Sequence, residues 1–345
     1  MHERAIERNA KKSGAAGEAY ASGLASMLKE AIRDLEGSAF ELDLRDDALH
    51  VGVEAEFSGA RSLLSLPIVT SPTLPASGAS EFWRLPADSG FAFRLNGGDP
   101  KQMSAQSRAL LERALALVPD HDLDETGKRE SLEPLRQIFL TGGPITFAQG
   151  IDLERAERTL DAYTQKKATL EQTHRALSPW TLVHLAEPIE RWRGAIDALD
   201  SADDRSDARN KAKGVVKPGA ENERRYQRTT KEVPVTGADR LPKGSLHWVT
   251  THTPNPRYKE SKPGDPPAGI RHTAHVFLVP SDGGIWFAFG DDDAVVKDKL
   301  RTVTGSATTP RLDSSAALAR LRQGKHIGFG FVTTEVMHGW GLDGD

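Results

Sequence analysis

Alternation of hydrophobic and polar residues predicts the strands of this chain, and hydrophobic residues at helical spacing predict its helices. The clearest pattern covers residues 275–290, where two apolar runs flank Pro-Ser-Asp-Gly-Gly at 280–284. Glycine adopts a positive φ without steric cost, and proline and aspartate favour entry into a turn. The stretch therefore predicts a β-hairpin, and three aspartates at 291–293 predict the start of a helix directly after it.

Residues 82–95 repeat this pattern around Pro-Ala-Asp-Ser-Gly at 86–90. After each hairpin the predicted elements come in the same order, namely helix, helix and strand. After the hairpin at 82–95 they are 100–118, 128–140 and 144–149. After the hairpin at 275–290 they are 292–303, 314–323 and 326–334. Such self-similarity predicts an internal duplication. The alternative is two unrelated α+β segments.

The remaining patterns predict antiparallel pairs more often than parallel crossovers. Alternation at 40–57 predicts a hairpin with one polar face. Further helices are predicted at 18–36, 154–177 and 188–199, and further strands at 180–185, 225–235 and 244–253. The predicted fold class is α+β, with two related lobes, each an antiparallel sheet of hairpins covered on one face by helices. A doubly wound parallel sheet is the alternative.

A change of composition places the domain boundary. Charge is dense and apolar content falls over residues 200–224. We expect a first α+β lobe at 1–213 with an N-terminal helix and extra helices, a linker at 214–224, and a second lobe at 225–345 that repeats hairpin, helix, helix and strand. The proline-rich stretch 254–269 is predicted to be a loop.

Composition excludes several classes of function. The chain has 345 residues, 38% of them hydrophobic and 27% charged, which is typical of a soluble globular protein. Its net charge of −4 provides no basic field for nucleic acid. The chain has no cysteine, which excludes disulfides, cysteine-ligated zinc, iron–sulfur clusters and thiol nucleophiles. No apolar run reaches the length of a transmembrane helix.

Two acidic stretches are candidate metal sites. Asp120, Asp122 and Asp124 have the spacing that begins a calcium loop, but Glu125 and Ser131 stand where that loop needs glycine and a bidentate glutamate. We therefore interpret this segment as an acidic loop that caps the next helix. Asp291 begins the second acidic stretch, where aspartates at a helix N-terminus are favoured without an ion.

Histidines provide the other candidate ligands. His272 and His275 are three residues apart, a spacing that places them on opposite faces of a strand. Together with His247 and His252 they form a cluster only if the fold brings them together; the alternative is core or solvated histidines. The chain contains no phosphate-binding glycine loop, nucleophile elbow or zinc-binding helix motif. The sequence thus predicts no catalytic residue, no metal and no cofactor.

Several stretches are similar to a broad group of uncharacterised exported proteins and lipoproteins of Gram-negative bacteria. They are the two hairpin-and-helix units, Phe-Trp-Arg-Leu-Pro-Ala-Asp at 82–88, Trp-Thr-Leu-Val-His-Leu at 180–185 and Leu-Pro-Lys-Gly-Ser-Leu-His-Trp at 241–248. This resemblance implies a periplasmic or exported protein of the cell envelope. The first residues are charged and have no apolar segment behind them, so no signal peptide is predicted in this chain.

These observations favour a non-enzymatic binding or scaffolding protein, whose partner is another protein or a small ligand between the lobes. One alternative is a hydrolase with a dispersed site, in which His247, His252 or His272 meets a carboxylate such as Asp291 or Asp292. Another is a purely structural protein without a small ligand.

Overall fold

The structure is a computed structural model. It describes residues 32–33, 35–44, 49–57, 72–97, 112, 123–139, 143–213, 226–254, 271–307, 309–319 and 321–333. The chain forms two compact units. The first is drawn from Met1–Thr73, Asn96–Pro144 and Glu190–Val216, and the second from Leu74–Leu95, Ile145–Ile189 and Lys217–Asp345.

The described strands, in chain order, are β1 Leu35–Leu44, β2 Leu49–Phe57, β3 Leu74–Pro75, β4 Phe91–Leu95, β5 Ile145–Gly150, β6 Trp180–Leu185, β7 Tyr226–Glu232, β8 Leu246–Pro254, β9 His272–Ser281, β10 Gly284–Gly290, β11 Lys325–His326 and β12 Gly328–Val332. The described α-helices are α1 Ser80–Trp83, α2 Glu125–Phe139, α3 Leu153–Thr164, α4 Leu170–Leu177, α5 Ile189–Ala212 and α6 Asp293–Thr304. None of these helices combines the length and apolarity needed to cross a membrane.

The first unit contains an antiparallel hairpin of β1 and β2. It also contains α2 and nearly all of α5, joined by an ion pair in which Arg209 Nη2 lies 2.9 Å from Asp124 Oδ1. The predicted hairpin at 40–57 is thus confirmed. Most of the predicted helix at 18–36 and nearly all of that at 100–118 lie outside the described residues. So do the predicted linker and all of the predicted loop at 254–269 except Pro254, the last residue of β8. The predicted domain boundaries therefore stay a prediction.

The second unit is built on one antiparallel sheet of eight strands, in the order β12-β4-β5-β6-β10-β9-β8-β7. Side chains of neighbouring residues point to opposite faces of a strand. On one face, Phe277, Val279 and Trp286 form a buried cluster with Val296 and Leu300 of α6. The amphipathic α6 is therefore held along the middle of the sheet by apolar burial.

The α+β class is confirmed, but the two-lobe duplication is not. In the single sheet, β12 of the second predicted lobe pairs with β4 of the first, and β10 pairs with β6. Strands from both predicted lobes thus share one hydrogen-bonded ladder. A repeat of side-chain pattern does not determine which strand edges pair, because every edge offers the same backbone donors and acceptors.

The predicted hairpin at 82–95 is wrong. Helix α1 ends at Trp83, a turn follows, and only β4 is a strand. Phe82 and Trp83 are consecutive and both buried, with their rings in edge contact at 5.0 Å. A strand would send these side chains to opposite faces, whereas a helical turn packs both against the same core. A short apolar run does not distinguish these two structures.

The predicted helix at 314–323 is also wrong. The helical structure at its described residues is limited to short 3₁₀ turns, at Leu312–Ser314 and Leu321–Gln323. Ser314 Oγ donates to the Arg311 carbonyl at 2.7 Å, so a short polar side chain satisfies the backbone outside an α-helix. The other predicted strands and helices among the described residues are confirmed with shifted ends, except that 154–177 holds two helices, α3 and α4.

The turn between β9 and β10 provides a test of this sheet. Gly283 has a φ of +81°, and a Cβ on Gly284 would lie 2.0 Å from the Leu185 carbonyl oxygen of β6. We expect Gly284→Ala to lower the free energy of unfolding by about 1–3 kcal/mol, since backbone must move to admit the methyl group. Gly78→Ala is the matched control, because no atom lies within 4 Å of its added Cβ. Equal denaturant midpoints for both variants would contradict the close packing of β6 on this turn.

Candidate functional site

Two histidines are brought onto the same face of the sheet by the register of β8 and β9. His247 lies opposite Phe277, and Val249 lies opposite His275. His247 and Val249 are two residues apart on β8, so the side chains of His247 and His275 share one face. This is the face that α6 covers.

The end of β10 supplies a carboxylate to these histidines. Gly290, the last residue of β10, pairs with His275, and the chain then turns into α6. Asp292 caps this helix by accepting a hydrogen bond from Val295 N at 3.1 Å. Asp293, the first residue of α6, therefore lies beside His275.

The three side chains present one ligand atom each to a common point. His247 Nε2 lies 3.1 Å from His275 Nδ1, and Asp293 Oδ1 lies 4.0 Å from the first nitrogen and 3.9 Å from the second. Ligands bonded at ~2.0–2.2 Å to a tetrahedral ion are separated by roughly 3.3–3.5 Å. The observed separations bracket this range. We call His247, His275 and Asp293 the ligand cluster.

Burial keeps the two imidazoles neutral at neutral pH. His247 is 4% exposed, and its ring stacks on that of Phe277 with centroids 3.9 Å apart. This burial lowers the pKa of His247 to about 4, against a smaller opposite effect of Asp293. Burial likewise lowers the pKa of His275. The 3.1 Å contact between the two rings is a hydrogen bond in which one of the two nitrogens donates. Ligation by both nitrogens therefore requires that ring to take its other neutral tautomer, because a metal ion binds the nitrogen lone pair.

The two carboxylate oxygens of Asp293 differ, because one accepts a hydrogen bond and the other has no donor. Its Oδ2 accepts from Lys297 Nζ at 2.8 Å, whereas its buried Oδ1 has no hydrogen-bond partner. Lys297 Nζ also lies 2.8 Å from Asp239 Oδ1, and this hydrogen bond lowers the pKa of Asp239 to about 2. Burial opposes the charge of Lys297, but its bonds to Asp239 and Asp293 raise its pKa. A buried carboxylate oxygen without a donor is costly unless a cation binds it.

The donor set is that of a transition-metal site. Two imidazole nitrogens and one carboxylate oxygen suit Zn²⁺ and Fe²⁺, whereas Ca²⁺ and Mg²⁺ prefer oxygen ligands alone. Three protein ligands also leave a coordination position for water or a bound molecule. The described residues therefore fit a single divalent ion of the zinc class.

Of the four candidate histidines, His247 and His275 belong to the ligand cluster, and Asp293 belongs to the acidic stretch that Asp291 begins. His252 and His272 lie opposite each other on β8 and β9, with parallel rings 4.5 Å apart. Asp291 Oδ2 accepts from Ser178 Oγ at 2.8 Å. Asp292, besides capping α6, forms a 2.5 Å ion pair with Arg155.

The acidic segment before α2 contributes no ligand among the described residues. Asp124 Oδ1 accepts from Gly127 N at 2.7 Å, which is the capping role expected for this loop. Asp120 and Asp122 lie outside the described residues. The interpretation of this segment as a helix cap is therefore supported at Asp124.

Sequence reasoning named His275 and the acidic stretch that contains Asp293 as candidates, but it did not predict that the two side chains meet. The predicted placement of His272 and His275 on opposite faces of a strand agrees with the register. The signal in the sequence was the alternation of faces along a strand. His275 and Phe277 are two residues apart on β9 and therefore share a face, and Phe277 lies opposite His247. Using that signal required the register of β8 against β9.

A comparison with protein-family models, curated proteins and solved structures found no match to this chain. The resemblance to exported bacterial proteins therefore gains no support, and the cell envelope stays a prediction. The geometry of the described residues is thus the only basis for assigning a function.

A second buried polar group crosses the same sheet face. Arg94, Thr146 and His184 are neighbours across β4, β5 and β6. Arg94 Nη1 donates to Thr146 Oγ1 and to Glu81 Oε2, both at 3.0 Å, and His184 Nε2 lies 2.9 Å from Ser281 Oγ. Burial lowers the pKa of His184 to about 4, and Glu81 only partly offsets this effect. This row has one histidine and a carboxylate already paired with arginine, so it serves stability.

His184 makes the stability of the second unit depend on pH. Its pKa is lower in the folded chain than the ordinary value of 6.5, so its contribution is present above pH 6.5 and is lost as the pH falls toward 4. We expect wild type to lose about 3 kcal/mol more than His184→Gln between pH 7 and pH 4. Urea unfolding of both proteins at several pH values measures this difference. Parallel pH profiles would contradict a buried, neutral His184.

Proposed function

We propose that this protein binds one divalent transition-metal ion of the zinc class through the ligand cluster. The observation that carries the proposal is the convergence of His247, His275 and Asp293, whose ligand atoms lie within 4.8 Å of one another. The free oxygen of Asp293 and the neutral imidazoles are the supporting features. Lys297 and Phe277 fix the orientation of Asp293 and His247 before any ion arrives.

Among the functions expected from the sequence, the cluster favours binding and the His/carboxylate hydrolase over a purely structural protein. An ion of this class can polarise a carbonyl or phosphoryl oxygen or lower the pKa of bound water. The chain itself contributes ligands, a fixed carboxylate and an ammonium group beside them. The ligand atom Oδ1 of Asp293 is buried, and the exposed 40% of this side chain belongs to its other atoms.

Zinc binding to the untagged, metal-free chain tests the proposal. We expect isothermal titration calorimetry to give one ion per chain, and the free energy of unfolding to rise by about 2.7 kcal/mol at a free Zn²⁺ concentration 100 times Kd. His275→Ala and Asp293→Asn should each weaken binding by roughly 100-fold or more, since even partners of metal ligands contribute 10- to 100-fold.

The matched control is His252→Ala, which removes a histidine of β8 whose ring stacks on His272, outside the ligand cluster. Binding in this variant should equal that of wild type. If zinc binding is absent in wild type, or is lost equally in His252→Ala and His275→Ala, the ligand cluster is not the site.

A cavity of about 680 Å³ supports a second candidate function, binding of a small organic ligand. It lies within the second unit, where β4 begins, β5 ends and α3 begins, and Phe91, Ile151 and Leu153 are among its lining residues. Small-molecule sites have volumes of roughly 300–1,000 Å³. Asp88, also in its wall, is held by a 2.5 Å ion pair with the buried Lys299. This candidate retains the binding function expected from the sequence, but its place is a cavity in one unit.

Fluorescence of the neutral apolar dye Nile red tests this cavity. We expect wild type to bind one equivalent and Leu153→Glu to bind at least about tenfold more weakly, because the charge would lie in the apolar wall. Leu153 is 54% exposed, so the substitution should leave the fold intact. Leu160→Glu, on an exposed residue of the same helix outside this wall, is the control. Equal dye binding by all three proteins would remove the cavity as a ligand site.

A further inference from the structure

The charges around the ligand cluster indicate which class of additional ligand an ion bound there would take. Asp239, Asp293 and Lys297 are joined by two 2.8 Å contacts of the lysine ammonium. Two carboxylates and one ammonium leave a single negative charge. A divalent ion bound to Asp293 would change the charge of this group to +1, because imidazoles that ligate an ion are neutral.

Asp291, just outside the cluster, is a further carboxylate, and it accepts from the neutral hydroxyl of Ser178. Asp292 is paired with Arg155 at 2.5 Å. Arg175 Nη2 lies 3.7 Å from Glu171 Oε1. The positive charge of an ion beside the Lys297 ammonium favours an anion as the ligand at the open coordination position.

The two oxygens of Asp293 set the distance between the ion and Lys297. Oδ1 faces the histidine nitrogens, and Oδ2 accepts from Lys297 Nζ. The carboxylate of Asp293 would therefore contact both cations, with the ion on Oδ1 and the Lys297 ammonium on Oδ2. A second group with the O–C–O or O–P–O arrangement can span the same pair.

Lys297 has a donor available for this second group. An ammonium has three N–H donors, and the hydrogen bonds to Asp239 and Asp293 use two of them. The Lys297 side chain is 15% exposed, on the helix face next to the more open Asp293. A charge-assisted hydrogen bond from a partly buried ammonium is among the stronger polar contacts.

We propose that the ion at this site binds an oxyanion, a carboxylate or phosphate group, which bridges the ion and Lys297 Nζ. This inference rests on the metal-binding function proposed above and names the ligand class of that site. The anion occupies the coordination position that the three protein ligands leave open. Lys297 is then a binding residue for the anion, held in place by Asp239.

The visible absorption of the Co²⁺-loaded chain tests this inference, because d–d bands change when a ligand enters the coordination sphere. We expect inorganic phosphate and acetate, titrated separately, to shift the bands with saturation. A response to one of them alone identifies the preferred oxyanion. Lys297→Met is expected to bind Co²⁺ more weakly, because Lys297 orients Asp293, so it is titrated at a Co²⁺ concentration that saturates its site. Under that condition Lys297→Met should weaken the anion response by roughly tenfold or more, and Lys297→Arg should restore much of it.

The control is Lys243→Met, which removes an exposed lysine outside the cluster and should leave the titration unchanged. If Co²⁺ does not bind to wild type, the metal-binding function itself fails. If Co²⁺ binds but neither anion changes its bands, or if Lys297→Met responds as wild type does, the bridging role is overturned and metal binding stands. Thermal unfolding of each variant establishes that it is folded.

Discussion

The ligand cluster in the second unit depends on the register between β8 and β9. This register places His247 opposite Phe277 and Val249 opposite His275, so both histidines face α6. A slip by one residue would move one histidine to the other face of the sheet. Burial of Phe277 and Val279 against Val296 and Leu300 opposes such a slip, because it would expose apolar surface. The packing that stabilises the sheet therefore also positions the ligands.

Helix α6 connects stability and site chemistry. Its apolar side chains are in the core, and its first two turns contribute Asp293 and Lys297 to the polar end of the same interface. Asp292 caps the helix and binds Arg155, so the adjacent carboxylates have separate roles. Of these two aspartates, only Asp293 has an oxygen that is both buried and without a donor. This difference between neighbouring aspartates identifies the candidate ligand.

Local patterns in the sequence predicted most described elements, because strand alternation and helix caps are local properties. The hairpin of β9 and β10 and the helix after it are examples. Pairing between distant strands could not be predicted, since β12 beside β4 joins residues far apart in the chain through uniform backbone groups. The site shared this difficulty. His247 was a candidate, but its partners depend on a register and a helix start that no local pattern specifies.

X-ray absorption at the zinc edge of the one-to-one zinc complex tests the central claim most directly. The ligand cluster predicts a first shell with two imidazole nitrogens and at least one oxygen, at about 2.0–2.2 Å. The characteristic scattering from the outer imidazole atoms should decrease by half in His275→Ala. A first shell made of oxygen alone, or imidazole scattering unchanged in that variant, would contradict the assignment of His247, His275 and Asp293 as the metal ligands.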